Sequence, residues 1–114
     1  MIVYGIKNCD TVKKALTWLR DNNIDFEFHD FKKQGIQQEK LKQWADKNGW
    51  ESFLNKKGTT WKKLDATQQA EVTNEQAAFK LMEEKTSIIK RPVIEKDNVL
   101  IFGFDTETYQ KKLL

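Results

Sequence analysis

The sequence predicts an α/β protein built on a mixed four-stranded sheet. Residues 2–31 show the pattern of a strand, a helix and a second strand, and residues 91–114 show strand, turn, strand and helix. A strand, a crossover helix and another strand within about 30 residues form a parallel βαβ unit. Residues from about 36 to 87 show helical patterns only, which indicates a helical insertion between the two halves of the sheet.

The first third of the chain gives the clearest local signals. After a short apolar strand at residues 2–4, apolar residues from Val12 onward recur at i, i+3, i+4 and i+7. This periodicity predicts an amphipathic helix over about residues 11–22, with Asp10 or Thr11 as its N-cap. Residues 24–31 alternate apolar and polar side chains, which is typical of a strand.

The middle of the chain is predicted to be helical. An apolar stripe over residues 37–48 stops at Gly49, and short helical turns follow around Trp50 and Trp61. A further helix is expected to begin at Thr73 and to end near residue 85, because Thr73 and Gln76 have the spacing of a capping box.

The last third returns to strands. Two apolar runs at residues 91–95 and 99–102 flank a short polar turn and predict an antiparallel hairpin. Asp105 or Thr106 is expected to cap a final helix that carries Tyr109 and the two leucines at 113 and 114. This order of elements is that of a thioredoxin-like fold with a helical insertion. It predicts one domain over residues 1–114, with the first and last helices on one side of the sheet.

Composition narrows the class of protein. The chain has 114 residues, of which 39% are hydrophobic and 32% charged, and its formal net charge is +3. Acidic residues are mixed with the basic ones, whereas a nucleic-acid-binding protein usually concentrates Lys and Arg on one face. No run approaches the roughly 18 apolar residues of a membrane span, and the start lacks the pattern of a signal peptide. We therefore expect a cytoplasmic monomer that binds neither membrane nor nucleic acid.

Cys9 is the only cysteine, and it lies at the predicted turn between the first strand and the first helix. Unpaired backbone N–H groups and the helix dipole favour an anion there, and such positions can lower a thiol pKa from about 8.5 to between about 3.5 and 7.5. The charges of Lys7, Lys13 and Lys14 act in the same direction. A lone cysteine is also often a small buried hydrophobic residue, so the residues alone leave both interpretations open.

Other candidate residues are few. Arg91 precedes Pro92, the only proline, and its planar, permanently charged side chain suits an oxyanion, a carboxylate or a thiolate. His29, the only histidine, is a conceivable base for Cys9, but its strand position favours a structural role. One cysteine excludes an internal disulfide, and no metal-ligand spacing is present, so we expect no metal and no bound cofactor.

The chain resembles the ArsC/Spx superfamily, and in particular its YffB-like branch, over essentially its whole length. The resemblance implies a thioredoxin-like fold, a nucleophilic cysteine at Cys9, and an arginine, Arg91, before a cis-proline, Pro92. It further implies substrate binding by Asn8, Lys56 and Lys57 and a structural role for Thr11 at the site. The segments that carry it are residues 4–11 (YGIKNCDT), 58–64 (GTTWKKL), 88–92 (IIKRP) and 103–104 (GF).

The same resemblance shows two departures. Arsenate reductases of this superfamily use two further arginines, which fall near Asn55 and Gly103 in this chain, and neither position is an arginine. The Spx-type regulators carry a Cys-x-x-Cys switch, but the residue three after Cys9 is Val12. We therefore expect a thiol reductase with one nucleophilic cysteine, which needs an external thiol such as glutathione as co-substrate.

Two other functions stay open on the sequence. One is a non-catalytic interaction or regulatory protein of the Spx type. The other is an arsenate reductase that binds the oxyanion and uses glutaredoxin as its partner.

Overall fold

The computed structural model describes all residues from Met1 to Leu114. The α-helices and strands are β1 Ile2–Gly5, α1 Asp10–Asp21, β2 Glu27–Asp30, α2 Phe31–Gln34, α3 Gln38–Asn48, α4 Thr59–Lys62, α5 Ala66–Glu71, α6 Glu75–Glu84, β3 Val93–Lys96, β4 Val99–Phe102 and α7 Thr106–Leu113. Short 3₁₀ turns lie at Trp50–Phe53 and Thr86–Ile88. None of the helices combines the length and the apolar character needed to cross a membrane.

The chain divides into two compact units. The first contains residues 1–34 and 91–114, and the second contains residues 35–90. All four strands lie in the first unit with α1, α2 and α7, whereas α3 to α6 lie in the second. The second unit contains the residues, about 36–87, for which the sequence predicts a helical insertion.

The sheet has the strand order β2-β1-β3-β4. β1 runs parallel to β2, with Ile2 opposite Glu27, and antiparallel to β3, with Val3 opposite Ile94. β3 and β4 form an antiparallel hairpin. The predicted mixed four-stranded sheet and its terminal hairpin are confirmed.

One face of the sheet is covered by α1 and α7. Val3, Ile94 and Ile101 lie side by side on neighbouring strands, and residues from both helices pack against them. The first and last helices therefore share one side of the sheet, as predicted. The buried members of this cluster are Val3, Ala15, Leu19, Ile94, Ile101, Tyr109 and Leu113.

β2 is shorter than the strand predicted over residues 24–31, because the neighbouring elements use both ends of that segment. Asn23 has a φ of 58°, and the N–H of Ile24 donates to the carbonyl of Leu19 at 2.9 Å. This left-handed closure satisfies a carbonyl at the end of α1. At the other end, Phe31 begins α2.

Two N-caps differ from the prediction. Cys9 itself caps α1, in place of Asp10 or Thr11. Asn74 caps α6 in place of Thr73, and its side chain accepts a hydrogen bond from the N–H of Ala77 at 2.9 Å. Asn and Thr are both good N-cap residues, so adjacent candidates cannot be separated by residue type.

Three further findings concern helix ends. The chain does contain a capping box, but it belongs to α5, a helix that the sequence did not predict, and it joins Asp65 and Gln68. Asp105 caps α7, which confirms one of the two predicted residues. Leu114 lies beyond the end of α7 and is 67% exposed, so its predicted place on that helix is wrong.

The second unit has a core of its own. The rings of Trp44 and Phe53 meet edge to face with their centroids 5.8 Å apart. Lys42 on α3 forms a salt bridge with Glu75 on α6 at 3.0 Å. Other fully buried members of this unit are Leu41, Ala78, Met82, Ile88 and Ile89.

Candidate functional site

Cys9 lies between β1 and α1, as the N-cap of the helix, with an extended backbone (φ −119°, ψ 121°). Gly5, the last residue of β1, packs closely against the first turn of α1. A Cβ atom at Gly5 would lie 3.0 Å from Cγ2 of Val12, in the first turn of α1. Glycine therefore lets the end of β1 pack directly against the turn that surrounds the thiol.

The surroundings of Cys9 favour the thiolate. Burial of the half-buried side chain raises its pKa, but the backbone N–H of Val12, the guanidinium of Arg91 and the backbone N–H of Thr11 lower it by more. The net result is a Cys9 pKa below its ordinary value. Thr11 and Val12 are the second and third residues of the helix, so their N–H groups lie near the side chain of the N-cap residue Cys9. None of Lys7, Lys13 and Lys14 is among these main causes.

Arg91 precedes β3, the antiparallel neighbour of β1, and its guanidinium lies beside the thiol. It hydrogen-bonds to Cys9 and contributes a favourable charge. Arg91 is half-buried, and the Arg91–Pro92 peptide bond is cis, as the resemblance implies. The carbonyl of Pro92 accepts a hydrogen bond from the N–H of Gly103 at 2.8 Å. We call the group formed by Cys9, Arg91, Pro92 and the N–H groups of Thr11 and Val12 the thiol corner.

Asn8 and Thr11 flank the thiol in sequence, and both are exposed. Thr11 contributes its backbone N–H to the thiol corner. The substrate-binding role of Asn8 and the structural role of the Thr11 side chain stay predictions.

Lys56 and Lys57 belong to the second unit, in residues 55–58, which we call the lysine loop. The ammonium group of Lys56 lies 5.5 Å from the centroid of the Trp61 ring, within the range of a cation–π contact. The N–H of Lys57 donates to Oδ1 of Asn55 at 3.2 Å. Both lysines are exposed, and their role in substrate binding stays a prediction.

His29 packs among aromatic rings. Its ring centroid lies 4.8 Å from that of Tyr4 and 5.9 Å from that of Phe31. The hydroxyl of Tyr4 in turn donates to Oε1 of Glu95 at 3.0 Å. This packing agrees with a structural role for His29 rather than that of a base.

The sequence did not predict the hydrogen bonds that link Tyr109 and Gly103 to Pro92. Gly103 has a φ of 89°, in the region that favours glycine, and its carbonyl accepts a hydrogen bond from the hydroxyl of Tyr109 at 2.7 Å. A glycine between a strand and an Asp-capped helix was the available signal for a special backbone at this point. No three His, Cys, Asp or Glu side chains lie close enough together to hold a metal ion.

Comparison with known proteins gives relatives of nearly the same length. An uncharacterised protein of Haemophilus influenzae is 43% identical over 108 residues, which are 95% of this chain and 94% of that protein. The global transcriptional regulator Spx of Lactiplantibacillus plantarum is 24% identical over 115 residues, covering 99% of this chain and 86% of the regulator.

A solved structure of a protein named YFFB superimposes with a TM-score of 0.93 at 43% identity, covering 99% of this chain and 98% of that one. Its likeness confirms the thioredoxin-like arrangement predicted from the order of elements. The sequence profile of the ArsC family matches residues 4–112, and thus includes both Cys9 and Arg91. The chain therefore belongs to the ArsC family.

Proposed function

We propose that the protein is a thiol-dependent reductase in which Cys9 is the nucleophile and glutathione is the co-substrate. The observation that carries this proposal is the thiol corner. The only cysteine of the chain meets one guanidinium and two helix N–H groups, and together they lower its pKa. More thiolate is therefore present at neutral pH than in an unperturbed cysteine, and the thiolate is the attacking species.

A single cysteine limits the chemistry. With a mixed disulfide of glutathione as substrate, the Cys9 thiolate attacks the glutathione sulfur and releases the other partner as a thiolate. The bond formed is a Cys9–glutathione disulfide. The thiolate of a second glutathione then attacks this bond, gives oxidised glutathione and restores the Cys9 thiolate. In the net exchange, the mixed disulfide and one added glutathione become the free thiol of the substrate and oxidised glutathione, so the added glutathione is the reductant.

Arg91 has the chemistry for two roles in this cycle. It stabilises the attacking and leaving Cys9 thiolate, and its planar fork suits one carboxylate of glutathione. Asn8, Lys56 and Lys57 are the further residues that we propose for substrate binding. The cycle requires neither a metal nor a bound cofactor.

The experiment is a pH titration of Cys9 alkylation with iodoacetamide, combined with a glutathione-coupled disulfide reduction assay. We expect a thiol pKa clearly below about 8.5 and turnover that Cys9→Ser abolishes. A pKa at or above about 8.5, or turnover that persists in Cys9→Ser, contradicts the proposal. His29→Gln is the matched control: its ring packs against Tyr4 and Phe31 and it is not among the groups that shift the Cys9 pKa, so its turnover should equal that of the wild type.

A second candidate is a non-catalytic interaction protein, and the similarity to the Spx regulator over 99% of the chain favours it. Spx-type function would not depend on the thiol, since the second cysteine of the Cys-x-x-Cys motif is replaced by Val12. Absence of disulfide reduction, with partner binding that Cys9→Ser leaves intact, would support this function over the reductase.

Arsenate reduction is the weaker enzymatic alternative. Family membership speaks for it. The two oxyanion-binding arginines that the resemblance implies fall near Asn55 and Gly103, where this chain has no arginine, and a lysine nearby supplies charge without a bidentate fork. We expect no arsenate-dependent turnover with glutaredoxin and its reducing system. Robust arsenate-dependent turnover in that assay would support arsenate reduction, rather than reduction of glutathione disulfides, as the function.

A further inference from the structure

We propose that Tyr109 is a positioning residue for the Cys9–Arg91 pair, and that it acts through the backbone of Gly103 and Pro92. The inference rests on the proposed function, because it explains how this fold keeps Arg91 at the nucleophile. Tyr109 lies on α7, and no sequence motif marks it.

A chain of two hydrogen bonds joins Tyr109 to the residue next to Arg91. The Tyr109 hydroxyl donates to the Gly103 carbonyl at 2.7 Å, and the Gly103 N–H donates to the Pro92 carbonyl at 2.8 Å. Gly103 thus uses both of its backbone polar groups in this chain. Pro92 is the residue after Arg91 and lies next to the start of β3, so this bond restrains the backbone beside Arg91.

The hydroxyl at the start of this chain is held firmly. Tyr109 is fully buried in the cluster between α1, α7 and the sheet. Its ring meets Trp18 on α1 edge to face at 5.4 Å, and Phe104 edge to face at 5.1 Å. Burial also raises the Tyr109 pKa, so the hydroxyl stays protonated and can donate throughout the pH range in which a thiol titrates.

Gly103 makes the geometry of the loop dependent on these bonds. Its φ of 89° is positive, and glycine, which has no Cβ, can also adopt many other backbone conformations. Between the end of β4 and the start of α7, the two hydrogen bonds select one of them. Without the hydroxyl, the Gly103 carbonyl loses the partner that holds it, and the Gly103–Pro92 bond becomes freer to open.

A buried tyrosine bonded to a carbonyl is often only a staple for its loop, so stability alone cannot test the role. The thiol is a better reporter, because Arg91 is the only side chain among the main groups that lower the Cys9 pKa. If Tyr109 positions Arg91, removing one hydroxyl on α7 changes the titration of a cysteine at the start of α1.

The experiment compares Tyr109→Phe with Tyr4→Phe and the wild type by the pH dependence of Cys9 alkylation. Tyr4→Phe is a matched control, since it removes another buried hydroxyl of the same unit, one that donates to Glu95. We expect Tyr109→Phe to raise the Cys9 pKa by about half a unit and Tyr4→Phe to leave it unchanged. An unchanged pKa in Tyr109→Phe, or an equal rise in Tyr4→Phe, overturns the inference.

A second measurement needs no variant. In the ¹⁵N-labelled wild type, the chemical shift of the Gly103 amide should change with pH, with the same midpoint as that of the Cys9 amide. The reason is that ionisation of the thiol changes the electrostatic attraction between Cys9 and Arg91. A Cys9 resonance that titrates while Gly103 stays fixed overturns the inference even if Tyr109→Phe does not fold. The wild-type midpoint judges the proposed function separately: a value at or above about 8.5 rejects the activated nucleophile.

Discussion

The thiol corner and the lysine loop are two regions that the family resemblance connects with the same chemistry, and they are built differently. The thiol corner joins residues that are 82 positions apart in the sequence, Cys9 and Arg91, through strands paired in the sheet. The lysine loop depends on contacts within a few residues, from Lys57 to Asn55 and from Lys56 to Trp61. The half-buried guanidinium of Arg91 is positioned by the pairing of β1 with β3, which depends on the whole sheet. The exposed lysines are positioned only by contacts with residues close to them in the sequence.

The largest expected effect comes from removing the cation of the thiol corner. Arg91→Gln should raise the Cys9 pKa and lower glutathione-dependent turnover about tenfold or more, because a hydrogen bond to a charged group contributes about 1.5–3 kcal/mol. Arg91→Lys should have a Cys9 pKa and a turnover between those of the wild type and Arg91→Gln, since lysine keeps the charge but lacks the planar guanidinium. The measurements are thiol alkylation against pH and steady-state turnover.

The matched variant in the lysine loop is Lys56→Gln, which removes an exposed cation. Its effect on the Cys9 pKa should be absent, and its effect on turnover no more than a few-fold, since exposed ionic contacts contribute about 1 kcal/mol or less. If Lys56→Gln matches Arg91→Gln in turnover, the contrast between the two regions fails.

Two crowded glycines test the same contrast through packing. Gly5→Ala places a Cβ 3.0 Å from Val12, whose N–H faces the thiol, so we expect a loss of about 1–3 kcal/mol in the free energy of unfolding. Gly58→Ala meets the side-chain nitrogen of Asn55 at 2.8 Å, and we expect a loss of only about 0.5–1 kcal/mol, because this exposed amide can shift although its hydrogen bond from the Lys57 N–H weakens. Only Gly5→Ala should also raise the Cys9 pKa. Denaturant unfolding and alkylation kinetics check both, and equal losses would contradict the expectation.

A smaller effect tests the corrected N-cap of α6. Asn74→Ala should destabilise the protein by about 1 kcal/mol, because the Ala77 N–H loses its partner. Thr73→Ala should change the free energy of unfolding by no more than about 0.5 kcal/mol. Neither should change the Cys9 pKa, because neither residue is among the groups that shift it. A larger loss in the free energy of unfolding for Thr73→Ala than for Asn74→Ala would instead support Thr73 as the N-cap.

The smallest effect is a pH dependence of stability. The lowered pKa of Cys9 means that the folded state releases this proton at a lower pH than the unfolded chain does. The stabilisation is complete above the unfolded pKa of about 8.5 and is lost as the pH falls through the folded pKa. The stability difference between wild type and Cys9→Ser should therefore increase with pH and level off above about pH 9. A difference that stays constant with pH would contradict the lowered pKa.

Local patterns predicted most of the fold but little of the site. The strand-to-helix turn that carries Cys9 follows from the periodicity that begins at Val12, and the terminal hairpin follows from two apolar runs. The nearness of Arg91 to Cys9 depends on strand pairing over a long sequence separation, so only the resemblance suggested it. Adjacent capping residues, as at Thr73 and Asn74, differ too little in preference for the sequence to choose between them.

Gly103 also restricts where an additional arginine can be introduced near the thiol corner. Introducing an arginine at position 55 alters a polar loop that is already half exposed. An arginine at position 103 would have to adopt a φ of 89°, which side chains with a Cβ rarely tolerate, in a residue whose N–H and carbonyl are both engaged. An arginine at position 103 itself therefore requires the turn between β4 and α7 to change its backbone, whereas an arginine at position 55 does not.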